Sequence, residues 1–123
     1  MSLRLHHVNV VVAPGRTDAV VPFYELLGLT RVEKPTEGVT KTGAWFDLPG
    51  GETQVHVSER EGERHPEQHF ALAVDDLDSC ALALQQAGHP WQPRAGLLGA
   101  RRGMTADPEG NAVELIEAIG PFA

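Results

Sequence analysis

An intramolecular disulfide is excluded at the outset, because Cys80 is the one cysteine among 123 residues. A lone cysteine suits a reducing compartment, and the apolar pattern around Cys80 marks it as a packing residue rather than a nucleophile. Long hydrophobic runs are also missing. No stretch approaches the roughly 18 apolar residues of a membrane span, and the opening MSLRLHH has no apolar region of the kind that directs secretion. Positive charge is scarce: 10 Lys and Arg against 17 Asp and Glu give a formal charge of −7. Nucleic acid and anionic membrane surfaces both reward basic patches, so neither is an expected partner. The expectation is a cytoplasmic protein of one domain, long enough to bury a core without covalent staples. What the chain does have is six histidines. Imidazole is the commonest metal ligand and a proton carrier near neutral pH, so their positions carry the argument.

The β-branched run Leu5 to Val12 predicts a strand, ended by Ala13-Pro14-Gly15. A helix is expected from Thr17 or Asp18, as N-cap, to Leu27, with Gly28 at its C-terminal stop. Pro22 fits that helix only in a first turn. A short strand from Leu29 to Lys34, a loop through Thr42, and a hairpin of Ala44 to Leu48 and Thr53 to Ser58 around Pro49-Gly50-Gly51 follow. Glu59 to Glu67, which contains no apolar residue, reads as a solvated linker. The same order then returns. Gln68 to Val74 is a strand; Leu77 to Ala87, capped by Asp76 and closed by Gly88, is a helix; an extended segment begins at Trp91. Strands at Arg101 to Ala106 and Asn111 to Ala118 finish the chain, joined by the turn Asp107-Pro108-Glu109-Gly110. Two modules, about 3–60 and 66–118, thus share one plan of strand, helix and three strands within a single domain of residues 1–123. His7 in HVNVVV corresponds to His69 in HFALAV, and His56 in VHV to Glu114 in VEL.

Successive strand side chains face opposite sides of a sheet. One side of the four matched strands carries Val8, Val10, Val12, Val55, Val57, Phe70, Leu72, Val74, Val113 and Leu115, all apolar, and must lie under the helices. The other side carries His7 and Asn9, Gln54, His56 and Ser58, His69, and Glu114. Three imidazoles and a carboxylate, one from each strand, therefore share the helix-free face. Three nitrogen donors and one oxygen donor suit one divalent ion per site: Zn, Ni, Co, Mn or Fe(II). Slippage by one residue would exchange His7 for His6; the match with His69 and the valines after His7 favour His7. Trp45 and Phe46 point to opposite sides, so one is core and the other lines the polar face.

The segments LHHV, WFDLPGG with QVHV, QHFALAVDD and DPEGNAVELIE resemble the vicinal oxygen chelate superfamily, the glyoxalase, fosfomycin-resistance and extradiol dioxygenase group, over about residues 3 to 118. The resemblance implies an α+β fold in which two βαβββ modules form a curved mixed β-sheet cup with helices on its outer face. It implies a divalent metal at His7, His56, His69 and Glu114, the four residues the face argument selects. Glyoxalase I commonly carries Glu where this chain has His56, and Arg near the position of Val11; fosfomycin-resistance proteins take three ligands, at the positions of His7, His69 and Glu114. Epimerase-like members place a neutral group at the position of His56. Bleomycin-binding members lack the ligands.

The functional expectation is a metal-dependent lyase or isomerase that chelates a small substrate through two oxygens. Glu114 and His56 are the candidates to move a proton, and Asn9, Gln54, Trp45 and Arg101 the candidates to contact substrate. The alternative is a non-catalytic protein that sequesters a small molecule in the same cup, in the manner of resistance proteins. The resemblance also implies a homodimer, with each cup built within one chain or across two.

Overall fold

The computed structural model describes residues 2–36, 38, 40–65 and 67–117. Glu37 and Val39 of the first loop, Pro66 of the linker and Ala118 at the expected end of the last strand lie outside the described residues. The chain divides into two compact units, 1–63 and 64–123.

The first unit runs β1 (His7–Val12), α1 (Thr17–Leu26), β2 (Thr30–Val32), β3 (Ala44–Asp47) and β4 (Gln54–Glu59). The second repeats it as β5 (His69–Val74), α2 (Leu77–Gln86), β6 (Gln92–Leu97), β7 (Ala100–Ala106) and β8 (Ala112–Glu117). Each unit is a mixed four-stranded sheet, ordered β1-β4-β3-β2 in one and β5-β8-β7-β6 in the other. β1 runs parallel to β4 and β5 parallel to β8, while the remaining pairs are antiparallel. The expected α+β fold with two βαβββ modules is the one observed.

In the first unit Val10, Val12, Val55 and Val57 are buried with Val20, Phe23 and Tyr24 of α1 and with Phe46 of β3. Tyr24 packs against Phe46 at 5.5 Å between ring centroids. Phe46 is thus the core aromatic of the Trp45-Phe46 pair. The second unit buries Leu77 and Leu84 of α2 with Val113 and Leu115 of β8. Both helices end in the same way. Gly28 and Gly88 take positive φ, their N–H groups donating to Glu25 and Gln85, and the next N–H groups, of Leu29 and His89, donate to Tyr24 and Leu84. This paired return satisfies carbonyls that the helix itself leaves open.

One helix start is the expected one and the other is not. Asp76 caps α2, its Oδ1 accepting from the Ser79 N–H at 3.0 Å. In α1, however, Thr17 is already helical and Arg16 is the cap, with no side-chain bond to the backbone. Pro22 stands inside α1, beyond its first turn, and is exposed. The work of a cap passes instead to a carboxylate distant in sequence. Glu59 Oε1 accepts from the Gly15 N–H at 2.9 Å and Oε2 from the Thr17 hydroxyl at 2.7 Å. Glu117 does the equivalent in the second unit, accepting from the Leu77 N–H at 2.8 Å. Each glutamate ends a central strand and holds the start of its own module's helix, where partial positive charge favours an anion. Glu59, expected in a solvated linker, is therefore part of the fold.

At the last hairpin Asp107 is buried. Its Oδ1 accepts from the N–H groups of Glu109 at 2.9 Å and Asn111 at 3.0 Å, and the Gly110 N–H donates to its carbonyl. The side chain fixes the turn that aims β8. On β7, Gly103 leaves room for Trp91: a Cβ there would lie 2.4 Å from the indole. Glycine in a strand interior here marks close approach of a large side chain.

These contacts generate two expected outcomes. Glu59→Gln lowers the melting temperature at pH 7, since an amide cannot replace a carboxylate at both donors. The Gly15 and Thr17 hydrogen bonds hold the Glu59 carboxyl below its ordinary value. Its contribution is therefore complete above the unfolded pKa and is lost as pH falls through the folded one, so the gap between variant and wild type closes in acid. Gly103→Ala forces the indole away and costs about 1–3 kcal/mol, measured by chemical denaturation.

Candidate functional site

The face opposite α1 carries a stack of three rings. Trp45 lies against His56 with centroids 4.1 Å apart and planes 5° from parallel. His7 covers the other side of His56 at 4.0 Å and 15°. Trp45 and His56 are cross-strand partners on β3 and β4, and His7 reaches over from the first position of β1. His56 is 8% exposed. Burial, helped by the nearby His7, His6 and Lys34, lowers its pKa to about 4. At neutral pH it is uncharged, and its tautomer follows from its neighbours. Gln54 Nε2 donates to Asp47 Oδ1 at 2.7 Å, which turns Gln54 Oε1 toward His56 Nε2 at 2.8 Å. An amide oxygen only accepts, so the proton is on Nε2 and the His56 lone pair on Nδ1. Gln54 thus orients the imidazole, and Asn9 is engaged by the Ser58 hydroxyl, which donates to its Oδ1 at 2.8 Å. His6 lies before β1, its Nδ1 3.0 Å from Nδ1 of His7.

In the second unit Glu114 is 5% exposed at the centre of β8. His69 Nε2 stands 3.3 Å from Glu114 Oε1. The other ring nitrogen of His69, Nδ1, lies 3.0 Å from the carbonyl oxygen of Glu67 and must donate to it. A neutral His69 then turns a bare lone pair toward a carboxylate oxygen. Two acceptors at that distance repel unless a proton or a metal cation lies between them. Arg102 Nη1 also reaches Glu114 Oε1 at 3.3 Å, and its Nε donates to the Ala95 carbonyl at 2.8 Å.

Arg101 is placed differently from the other expected site residues. It shares the side of Gly103 and Thr105, the helix side, and pairs with Asp78 of α2 and with Glu117, whose Oε1 is 3.8 Å away. Arg102, paired across the ladder with Ile116, is the arginine on the face of Glu114. Alternation along β7 separates 101 from 102 in the sequence, but Arg and Met104 on one side against Arg and Thr105 on the other leave the choice of side open until the register with β8 is known.

In kind, the imidazole and carboxylate that the second unit brings together, His69 and Glu114, are donors that suit a borderline divalent ion. At bonds of about 2.1 Å, neighbouring ligand atoms lie about 3.0–3.4 Å apart, the spacing of His69 Nε2 and Glu114 Oε1. His7 and His56 fit only after a ring turns, because lone pairs in two nearly parallel planes do not converge. Among the described residues, no group of three or more His, Cys, Asp or Glu is gathered as a ready metal cluster.

The profile of the Glyoxalase/Bleomycin resistance protein/Dioxygenase superfamily matches residues 4–115. The chain belongs to that superfamily, whose members commonly use a divalent metal. Comparison with curated proteins gave no match. Among solved structures, a glyoxalase family protein from Bacillus anthracis superposes with a TM-score of 0.85 at 24% identity, covering 97% of this chain and 98% of the other. TnmS3, an antibiotic binding protein from Streptomyces sp. CB03234, gives 0.76 at 20% identity over 96% and 98%. Lactoylglutathione lyase from Agrobacterium tumefaciens gives 0.70 at 20% identity over 94% and 93%. At these identities the likeness establishes the fold, which a lyase and a binding protein share.

Protonation of His56 is open to direct observation. Imidazolium against indole quenches its fluorescence, so Trp45 emission in a metal-free Trp91→Phe variant titrates with a midpoint near 4, where a solvated histidine gives about 6.5. A histidine whose folded pKa is depressed contributes stability in full above the unfolded value, and that contribution is lost as pH falls from about 6.5 toward 4.

Proposed function

We propose that the chain is a metal-dependent enzyme of the lyase or isomerase kind, acting on a small substrate that offers two adjacent oxygens. The observation that carries this reading is His69 Nε2 facing Glu114 Oε1 at 3.3 Å while Nδ1 is committed to the Glu67 carbonyl. A carbonyl that receives Nδ1–H is the usual way a metal-binding imidazole is oriented. His69 and Glu114 act as neighbouring ligands, and His7 and His56 complete the set, within one chain or from the partner of a cytoplasmic homodimer. A bound Zn, Ni, Co, Mn or Fe(II) ion would supply Lewis acidity toward a carbonyl or enediolate oxygen.

The remaining chemistry belongs to side chains. Glu114, buried on β8, offers Oε1 as an acceptor for a substrate proton. His56, neutral and carrying its one lone pair on Nδ1, is the second proton acceptor where that lone pair is not given to the ion. Gln54 and Asp47 hold its ring, and Trp45 shields one face from water. Asn9 is within the same polar face and supplies an amide to substrate.

The non-catalytic reading has one observation in its favour: Trp45, His56 and His7 present stacked aromatic surface of the sort that holds a planar ligand. The two are separated by measurement. The purified protein should take up about one divalent ion per site by elemental analysis, and His69→Ala should abolish uptake. Turnover of 2-oxo-aldehydes, thioesters or epoxides that depends on the ion supports the enzyme. Ligand-induced rises in melting temperature without turnover, under every metal, support sequestration instead.

A further inference from the structure

We infer that Arg94 holds an oxyanion against the cross-strand pair it makes with Arg102, on the outer part of the second sheet. No metal takes part, and an enzyme and a sequestering protein would use the site alike, so the inference stands apart from the reading above. β6 and β7 run antiparallel, and Arg94 lies directly across the ladder from Arg102. Side chains of directly opposed residues share one side of a sheet, with Cβ atoms about 4.5–5.5 Å apart. That side is the one of Glu114, because Arg102 and Met104 alternate with Gly103 and Met104 is paired with Glu114. Two guanidinium cations therefore face each other. Like charges in opposed positions destabilise a sheet, so this pair is held against its own electrostatics unless an anion joins it.

The protein supplies too little negative charge there. Among the described strand residues on that side of the second unit, Glu114 is the one carboxylate. It meets Arg102 through a single contact at 3.3 Å and faces His69 as well. Arg102 is further tied by its Nε to the Ala95 carbonyl at 2.8 Å, one residue beyond Arg94, where β6 leaves its register. It is thus fixed beside Arg94 and cannot retreat. Arg94 is exposed, and among the described residues no hydrogen bond or ion pair engages it. An oxyanion shared by the two guanidiniums replaces a repulsion with charge-assisted hydrogen bonds, and the planar fork of arginine suits the paired oxygens of a carboxylate or phosphate. Ile116, across the ladder from Arg102, and Met104 are the neighbours on the same side, so the body of the ligand next to the anion is apolar. The class selected is a small carboxylate or phosphate with an apolar body.

The full chain, Arg94→Gln and Arg94→Lys are titrated without added metal in dilute Tris chloride, once with inorganic phosphate and once with benzoate, against sodium chloride at matched ionic strength. Binding is followed by the arginine Nε–H resonances, and stability by the melting temperature. In wild type the resonances of Arg94 and Arg102 are expected to shift with one of the two anions, phosphate marking a phosphorylated ligand and benzoate a carboxylate. Arg94→Gln weakens that affinity about tenfold, and Arg94→Lys, which keeps the charge without the fork, falls between. Before any anion is added, Arg94→Gln melts about 1–4 °C above wild type, because the repulsion is gone, and the bound anion narrows that gap. The inference is overturned if neither anion exceeds the chloride control, if Arg94→Gln binds as wild type does, or if it melts at or below wild type in the anion-free buffer. A chain that takes up no metal yet passes these tests keeps this site and loses the metal reading; one that takes up metal and fails them keeps the metal reading alone.

Discussion

Burial of one sheet face beneath a helix is the constraint from which the rest follows. Val55 and Val57 must lie under α1, and Val113 and Leu115 under α2, because their removal from water is the main favourable term available to a module this small. A strand offers no intermediate direction, so the residue between each pair, His56 or Glu114, is forced to the other face. Both are buried there as well. A polar group in that position needs partners, and each has them: His56 has Gln54, Trp45 and His7, and Glu114 has His69 and Arg102. The fold therefore produces buried polar side chains as a consequence of packing its core.

The two modules solve the same problems with the same devices. Gly28 and Gly88 end their helices alike, and Glu59 and Glu117 tie the helix starts to the ends of the central strands. On the polar face they diverge. The first unit holds a neutral, desolvated imidazole between rings, with its tautomer set by an amide; the second holds a carboxylate between two cationic or potentially cationic groups. Such a division gives one half donors of neutral character and the other half the charge.

The superfamily places no single reaction on this scaffold. An antibiotic binding protein and a lactoylglutathione lyase superpose on the chain at the same identity. What separates chemistries on a common fold is the local arrangement of side chains. In this chain that arrangement includes the histidine at position 56, held by Gln54 and Asp47, and the arginine at position 102 beside Glu114.

The amino-acid sequence by itself determined the modules, the face of each central strand and the identity of the residues opposite the core. These follow from local rules, the two-residue strand period and the turn and cap preferences of Gly28, Gly88, Asp76 and Asp107. Only the tertiary structure decided the rest, because contacts between residues distant along the chain set it. Glu59 reads as part of a charged linker until its carboxylate meets Gly15 and Thr17, more than forty positions earlier. Arg101 and Arg102 are interchangeable in the sequence, and the ladder with β8 sends the first to Asp78 and the second to Glu114. The charge state of His56 likewise depends on what surrounds it, since burial is a property of the packed molecule and not of any segment.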